Sequence, residues 1–189
     1  MISSLNDIKI GLNIIYNDEP YQVLQANFVR MQQRKPVMQT KIKNLISGKV
    51  LEINFKPGDK IQEADIERKK VNFLYRAGEE YIFMDNDSYE QFSFSKKQLE
   101  EKTNFLKDGG EVQILTFNNN PINIELPPKM DFKIINTAPG IRGDTAQGRV
   151  TKPATIETGY LVNVPIFIKE SDIIKINTKS GEYVERVNQ

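Results

Sequence analysis

The chain has 189 residues, a net charge of +1 and an apolar fraction of 39%, enough for one large domain or two to three small ones. The chain has no histidine or cysteine, which excludes a Ser-His-Asp triad, a thiol nucleophile and a zinc site of the usual His/Cys kind. It also has no Walker or Rossmann phosphate loop. We therefore expect that the protein is not an enzyme and that it has no catalytic residue, metal or cofactor. With no run of eighteen apolar residues and no signal-peptide core, we expect a cytoplasmic protein without a membrane segment.

Residues 1–64 predict a small β-barrel of five to six strands, because apolar and polar residues alternate between short turn sequences. Asn17, Asp18 and Gly58 are residues typical of such turns. The strands are predicted at residues 8–16, 22–30, 37–45 and 48–55. This first domain is predicted to end at residue 64.

The second and third of these strands form a long hairpin with cationic flanks, since residues 30–60 hold eight Lys or Arg against two carboxylates. Arg30, Lys41 and Lys43 lie on the flanks. The polar segment at the tip consists of Met31, Gln32, Gln33, Arg34, Lys35 and Pro36. Lys and Arg neutralise phosphates. Side-chain amides and the Arg guanidinium can form hydrogen bonds to phosphates, to ribose and to base edges. The hairpin is a candidate nucleic-acid element; the alternative is a solvated hairpin whose lysines protect an edge strand.

Residues 65–128 predict a second barrel of the OB type, because short strands accompany one helix near the middle. Ser95 is the predicted N-cap of that helix, Gln98 its capping-box partner, and Gly109 lies at its end. Strands are predicted at residues 71–75, 81–84, 89–94, 112–117 and 122–126. Residues 85–90 resemble a calcium loop only faintly, and a hairpin turn is predicted there.

Six aromatic residues of this block are candidates for stacking on bases, as OB barrels often allow. About half of them must fill the barrel, and the sequence does not tell which. They are Phe73, Tyr75, Phe83, Tyr89, Phe92 and Phe94.

Residues 129–189 predict a third small barrel after the stiff junction Pro127-Pro128, with strands at 132–136, 160–168, 173–178 and 182–187. A long loop rich in Gly and Thr covers residues 138–153, and Lys152 to Thr155 continue its surface. Its candidate contacts to bases, sugars or phosphates are Arg142, Gly143, Asp144 and Thr145. The alternative is an ordinary surface Ω-loop.

The sequence as a whole therefore predicts a mainly β protein of three consecutive small barrels, with boundaries at residues 64/65 and 128/129. The three blocks carry net charges of +3, −4 and +2. This alternation favours a rod that touches nucleic acid mainly at its ends.

Several motifs carry a resemblance to a known family. In the third block, KPATIETGYLVNVPIFI (152–168) has Lys, Ala, Gly and Val-Pro at fixed spacing, and PGIRGDTA (139–146) and TKSGEYV (178–184) accompany it. The first block matches the pattern of the same family, in register, at four places: Gly11-Leu12, residues 17–21, Phe28-Val29 and KIKNL (41–45). Together these segments resemble the bacterial translation elongation factor P family across all three blocks.

The resemblance implies a KOW-like (SH3-like) barrel and two OB-type barrels in an elongated, tRNA-like arrangement. It implies a monomer on the 70S ribosome, between the peptidyl-tRNA and exit sites, that relieves stalling on consecutive prolines. The hairpin tip would reach the CCA end of peptidyl-tRNA in the P site, with Arg30, Lys41 and Lys43 on the tRNA backbone. The loop of residues 142–145 would read the exit-site mRNA codon. The factor would assist the ribosome's own chemistry by holding the tRNA and the nascent chain in a reactive geometry. A general OB-fold RNA or single-strand binder without ribosome preference stays the alternative.

Two positions depart from the family pattern. Ser171 stands where the signature closes with Gly. At the tip, the family commonly has Pro-Gly-Lys-Gly or Pro-Gly-Arg-Gly with a covalent modification, and counting from Phe28 places that position at Gln33. An amide cannot accept a lysyl-type or rhamnosyl-type addition by the chemistry used on an amine or guanidinium. We predict that Gln33 acts unmodified; a shift of one residue would make Arg34 the acceptor.

Overall fold

A computed structural model of the chain describes residues 2, 4–30, 35–138 and 151–187, and the backbone of these residues forms three five-stranded antiparallel sheets. By proximity of Cα atoms the chain divides into two compact units. The first is Met1–Lys69 with Ile114–Ile124, and the second is Lys70–Gln113 with Glu125–Gln189. The domain boundaries given above stay predictions.

The first sheet is built from the alternating segments that the sequence identified. Its strands are β1 (Asn13–Tyr16), β2 (Glu19–Val29), β3 (Val37–Asn44), β4 (Val50–Phe55) and β5 (Gln62–Glu63), in the order β4-β3-β2-β1-β5. Asn17 and Asp18, with φ of 50° and 63°, form the turn between β1 and β2, as a two-residue hairpin of type I′ requires. Ile14, Val23 and Ile42 are fully buried at the centre of its core.

The strand predicted at residues 8–16 is present only from Asn13 onward. Ahead of it, Leu5–Asp7 form a short 3₁₀ helix. The Ser4 side chain accepts a hydrogen bond from the Asn6 N–H, and the Asp7 carboxylate accepts one from the Ser4 N–H, which completes a capping box.

The strands of the second sheet are β6 (Ile66–Ala77), β7 (Glu80–Asp85), β8 (Gln91–Ser95), β9 (Glu111–Phe117) and β10 (Asn120–Glu125), in the order β10-β9-β6-β7-β8. The last residues of β8 lead into α1 (Lys96–Leu99), which is the only α-helix among the described residues. The predicted capping box at Ser95 and Gln98 is wrong, because the Ser95 side chain makes no capping hydrogen bond. Glu100, with φ 51° and ψ −127°, ends α1 after one turn, and a 3₁₀ helix, Glu100–Phe105, follows.

The third sheet includes one strand that the sequence analysis assigned mainly to a loop. The strands are β11 (Lys129–Thr137), β12 (Thr151–Ile156), β13 (Leu161–Pro165), β14 (Ile173–Asn177) and β15 (Tyr183–Arg186), in the order β13-β12-β11-β14-β15. Proline inside a run argues against a central strand, because it cannot donate to the ladder. Pro153 is tolerated in β12 because the pairing with β11 ends at Thr137 and Ala154, and Pro153 pairs with Asn163 of β13.

Within the second unit, the segment after α1 packs against the third sheet. The Phe105 ring is buried, with its centroid 5.9 Å from that of Phe132 and 5.1 Å from that of Tyr160. Lys107 Nζ lies 4.9 Å from the Phe132 ring centroid and 2.7 Å from Glu157 Oε1. This aromatic cluster with its ion pair fixes the segment on the sheet.

The Glu157 ion pair predicts a pH-dependent contribution to stability. Burial raises the pKa of Glu157, but hydrogen bonds from the Lys107 ammonium and the Lys133 N–H outweigh it and lower the pKa below its usual range. A carboxylate with a lowered folded-state pKa stabilises the fold above its unfolded-state pKa, and this contribution is lost as the pH falls through the folded value. Glu157→Gln should therefore lower the free energy of unfolding at pH 7 by less than about 1 kcal/mol, because the pair is partly exposed.

Urea unfolding of both proteins between pH 7 and pH 3 measures this difference, which should shrink as the pH falls below about 4.5. Glu182→Gln, which removes an exposed carboxylate near β15, is the control and should have little effect. A difference that stays constant over the whole range would contradict the assignment.

Candidate nucleic-acid interface

The hairpin formed by β2 and β3 has one continuous register with one bulge. Pairing runs from Tyr21 opposite Asn44 to Val29 opposite Val37, with the bulge between Val23 and Gln25. The two arms predicted from the sequence are thus strands of one ladder.

At the end of this ladder, Arg30 and Lys35 are exposed and Pro36 is half-buried. The other predicted tip residues lie outside the described part of the chain; they are Met31, Gln32, Gln33 and Arg34.

The hairpin is wider than a two-stranded finger along most of its described length. β4 pairs with β3 from Val50 opposite Lys43 to Phe55 opposite Met38. Beyond that last pair, only Val29 and Val37 continue the described ladder as two strands. A third strand stiffens the flank because both edges of β3 are hydrogen-bonded.

Alternation along β3 gives the hairpin two chemically different faces. The inward positions Met38, Thr40, Ile42 and Asn44 are all buried. The Thr40 hydroxyl donates a 2.8 Å hydrogen bond to the Ile53 carbonyl, so its polar atom is satisfied in the core. The intervening side chains face outward.

The outward face carries two ammonium groups among neutral amides. Lys41 lies opposite Gln25 on β2 and Glu52 on β4, and Lys43 lies opposite Gln22 and Val50. Lys41 Nζ is 3.9 Å from Glu52 Oε1, a long contact between side chains that are 43% and 82% exposed. Such a surface pair is weak, so the ammonium stays available to a phosphate.

A row of amides crosses the same face nearer the tip. The register places Asn27, Gln39 and Asn54 side by side on three neighbouring strands, and all three are exposed. Amides can hydrogen-bond phosphate and sugar oxygens without adding charge. The sequence analysis missed this row, although Gln39 lies two residues before Lys41, which is the spacing of one strand face.

The opposite face leaves an open groove beside the tip. Phe28 lies opposite Met38, on the same face of the sheet as that buried side chain, yet it is 48% exposed. A groove of about 310 Å³ lies there, bounded by Phe28, Pro36, the 3₁₀ helix and the turn at residues 56–59. An exposed ring beside an apolar wall is a surface on which a nucleobase can stack.

Buried amides anchor the root of the hairpin. Asn44 is 2% exposed; its Oδ1 accepts 2.8 Å hydrogen bonds from the N–H groups of residues 46 and 47, and its Nδ2 donates to Glu19 Oε2 over 2.6 Å. In the same unit, Asn123 Nδ2 donates to the Leu45 carbonyl over 3.1 Å. The base of the arm is therefore fixed by bonds that water cannot readily replace.

The second candidate site, the loop with Arg142, Gly143, Asp144 and Thr145, lies outside the described residues. The described chain stops before it at Ala138 and resumes at Thr151.

The structure shows which of the six aromatic residues proposed for base stacking have exposed rings. Phe73, Phe83 and Phe94 are buried and Phe92 is half-buried, whereas Tyr75 and Tyr89 are exposed. The exposed rings belong to different elements, β6 and the turn between β7 and β8. This part of the described sheet therefore offers little to a general single-strand binder, which stacks successive bases on adjacent rings.

The turn at residues 85–90 is a hairpin turn, as predicted. The Asp85 carboxylate accepts hydrogen bonds from the N–H groups of Asp87 and Ser88 at 2.8 and 3.0 Å. Within the described ranges no group of three metal-ligating side chains occurs. The helices of those ranges are all too short to cross a membrane.

Comparison with known proteins gives the family. Three elongation factor P family models match successive parts of the chain: the KOW-like domain over residues 4–61, the OB domain over 66–124 and the C-terminal domain over 130–186. Elongation factor P of Thermodesulfovibrio yellowstonii is 41% identical over 186 residues, which cover 98% of this chain and 99% of that protein. The chain belongs to the elongation factor P family. The Natranaerobius thermophilus protein of the same name is 43% identical over 187 residues, with 99% and 98% coverage.

A solved structure shows a related fold. Eukaryotic translation initiation factor 5A from Methanococcus jannaschii has a TM-score of 0.50 at 18% identity and covers 65% of this chain and 91% of that chain. At this identity the likeness concerns the fold alone.

Membership of the elongation factor P family confirms several predictions. The mainly β architecture, with a KOW-like domain followed by an OB domain and a C-terminal domain, is confirmed. Members are non-enzymatic translation factors, so the family also confirms that this chain is not an enzyme. Ser171, where the elongation factor P signature usually has Gly, has φ 70°, a left-handed conformation that glycine adopts most easily.

The buried amide at the hairpin root gives a stability prediction. Asn44→Ala should lower the free energy of unfolding by about 2–3 kcal/mol, because two backbone N–H groups and a carboxylate lose their partner. Asn54→Ala removes an exposed amide of the same sheet and should change it by less than about 0.5 kcal/mol. Urea unfolding measures both; equal effects would contradict the anchoring role of Asn44.

Proposed function

We propose that this elongation factor P binds the 70S ribosome next to peptidyl-tRNA and promotes peptide-bond formation at stalled consecutive-proline sequences. It does so by positioning the CCA end of the tRNA in the P site. The observation that carries the proposal is the β2–β3 register, which sets Lys41, Lys43 and a row of amides on one face leading to the tip.

The tRNA backbone is contacted by Arg30, Lys41 and Lys43. Arg30 and Lys43 are exposed, and the contact of Lys41 with Glu52 is long and weak, so each cation can approach a phosphate at small desolvation cost. Phosphate contacts fix position and orientation without reading sequence. A factor that must act on many different tRNAs needs this kind of contact.

The tip meets the CCA end through Met31, Gln32, Gln33, Arg34, Lys35 and Pro36. In this proposal Gln33 hydrogen-bonds the acceptor end unmodified, while Arg34 and Lys35 supply charge. The groove beside Phe28 and Pro36 gives a terminal base a surface on which to stack.

The contribution to catalysis is entropic. Holding reactants in a near-attack geometry converts an unfavourable encounter into an effectively unimolecular step, and this can supply several kcal/mol of the barrier, on the order of 7–11 in well-oriented systems. The pyrrolidine ring fixes φ of proline and restricts its conformation, so in this proposal orientation is the quantity that the stalled ribosome lacks. The chemistry stays with the ribosome, in agreement with a non-enzymatic factor.

The second contact of the proposal is the C-terminal loop. Arg142, Gly143, Asp144 and Thr145 read the exit-site mRNA codon beside the small subunit. Arg142 offers a cation for phosphate or base edges, and Asp144 and Thr145 offer hydrogen bonds to bases and sugars. The protein acts as a cytoplasmic monomer with these two RNA contacts.

Substitutions at the tip test the CCA contact. In a reconstituted translation assay with a consecutive-proline reporter, Gln33→Ala should reduce stall relief about tenfold, and Arg34→Ala should reduce it less. A reporter without prolines is the control and should not respond. A larger loss of stall relief in Arg34→Ala would mean that the residue contacting the CCA end is Arg34 and not Gln33. An added mass on Arg34 or Lys35 in protein from its native cell would contradict the prediction that the tip is unmodified.

Substitutions on the hairpin face test the phosphate contacts. Lys41→Gln and Lys43→Gln should each weaken ribosome binding several-fold and reduce the slope of log affinity against log salt by about 1. Lys9→Gln removes an exposed lysine that lies before β1, outside the β2–β3 hairpin, and should change neither quantity. Binding to unstructured RNA that equals binding to the ribosome, without stall relief, would support the general RNA binder.

A further inference from the structure

A lysine occupies a core position of the third sheet. On β12 the inward residues are Lys152, Ala154 and Ile156, and Lys152 is 9% exposed. It pairs across the ladder with Val164, which is fully buried. Its aliphatic stem therefore packs like a core side chain, and only the ammonium needs a polar partner.

The Lys152 ammonium bonds to the chain on the far side of the candidate loop. Nζ donates a 2.7 Å hydrogen bond to the Ala138 carbonyl. A second bond lies next to it, from the Thr137 hydroxyl to the Pro153 carbonyl over 3.1 Å. Both bonds join the strand that enters segment 139–150 to the strand that leaves it.

The described partner of the Lys152 ammonium is a neutral carbonyl, that of Ala138. Removing an ammonium from water is costly. A single hydrogen bond to a neutral carbonyl offsets this cost only in part. An apolar side chain of the same length, such as methionine, would fill the space at least as well.

We propose that Lys152 is a positioning residue, whose ammonium, together with the Thr137 hydroxyl, clasps the two ends of segment 139–150. The clasp brings the ends of β11 and β12 to a fixed separation, so the residues between them start and finish at defined points. The functional value of the clasp rests on the proposed contact of residues 142–145 with mRNA. The clasp itself is a property of the isolated protein.

Amide hydrogen exchange of the free protein tests the clasp. In Lys152→Met, peptides that cover the end of β11 and the start of β12 should exchange about tenfold faster than in the unchanged protein, while the thermal midpoint stays equal or rises. Lys169→Met, which removes an exposed lysine beyond β13, is the matched control and should leave both readouts unchanged. Unchanged exchange in these peptides, or a lower midpoint with faster exchange over the whole sheet, would overturn the proposal.

A second variant keeps the test independent of how Lys152→Met folds. Thr137→Val removes the other bond of the clasp and should accelerate exchange in the same peptides, whereas Thr137→Ser keeps the hydroxyl and should not. Affinity for mRNA-programmed ribosomes is measured on the same proteins. Faster exchange with reduced affinity supports both proposals; faster exchange with unchanged affinity supports the clasp and contradicts the mRNA role of the loop.

Discussion

Antiparallel pairing of β2 with β3 decides which side chains of the hairpin meet the core and which meet solvent. Ile42 is fully buried, so its neighbours Lys41 and Lys43 must point outward. A register shift of one residue would bury both ammoniums and expose the apolar set, at a cost of several kcal/mol for each charge. The position of the cations is thus a consequence of core packing, and the amide row of Gln39 shares the same cause.

Buried amides, more than surface charges, hold this geometry in place. Surface ion pairs such as that of Lys41 with Glu52 contribute about 0–1 kcal/mol each and weaken with salt. Asn44 and Asn123 are buried, and losing their hydrogen bonds leaves backbone groups unsatisfied. If the protein acts as proposed, this division is useful, because its own shape does not depend on charges for which RNA phosphates would compete.

The sequence predicted the elements that period-two alternation and turn residues define, and it failed where tertiary context overrides local pattern. β12 was missed because Pro153 lowers strand propensity, and only the end of the β11 ladder explains why it is tolerated. The Ser95 capping box was predicted from residue type alone, and the Ser95 side chain makes no capping hydrogen bond to the one-turn helix α1. Alternation along the strand predicted that Lys41 faces outward, but residue type could not show that Lys152 lies in a core, since burial depends on partners far along the chain.

An unmodified amide at the tip is compatible with a positional mechanism. If the factor supplied a reacting group, replacing an amine or guanidinium by an amide would remove the chemistry. If it supplies orientation, what matters is that the arm is stiff and that cations hold the tRNA backbone. Three strands support most of the described hairpin, and Arg30, Lys35 and Lys43 are exposed along it. In the proposed mechanism, a neutral amide at residue 33 on such a support restricts the acceptor end by hydrogen bonding, while the neighbouring cations supply the charge.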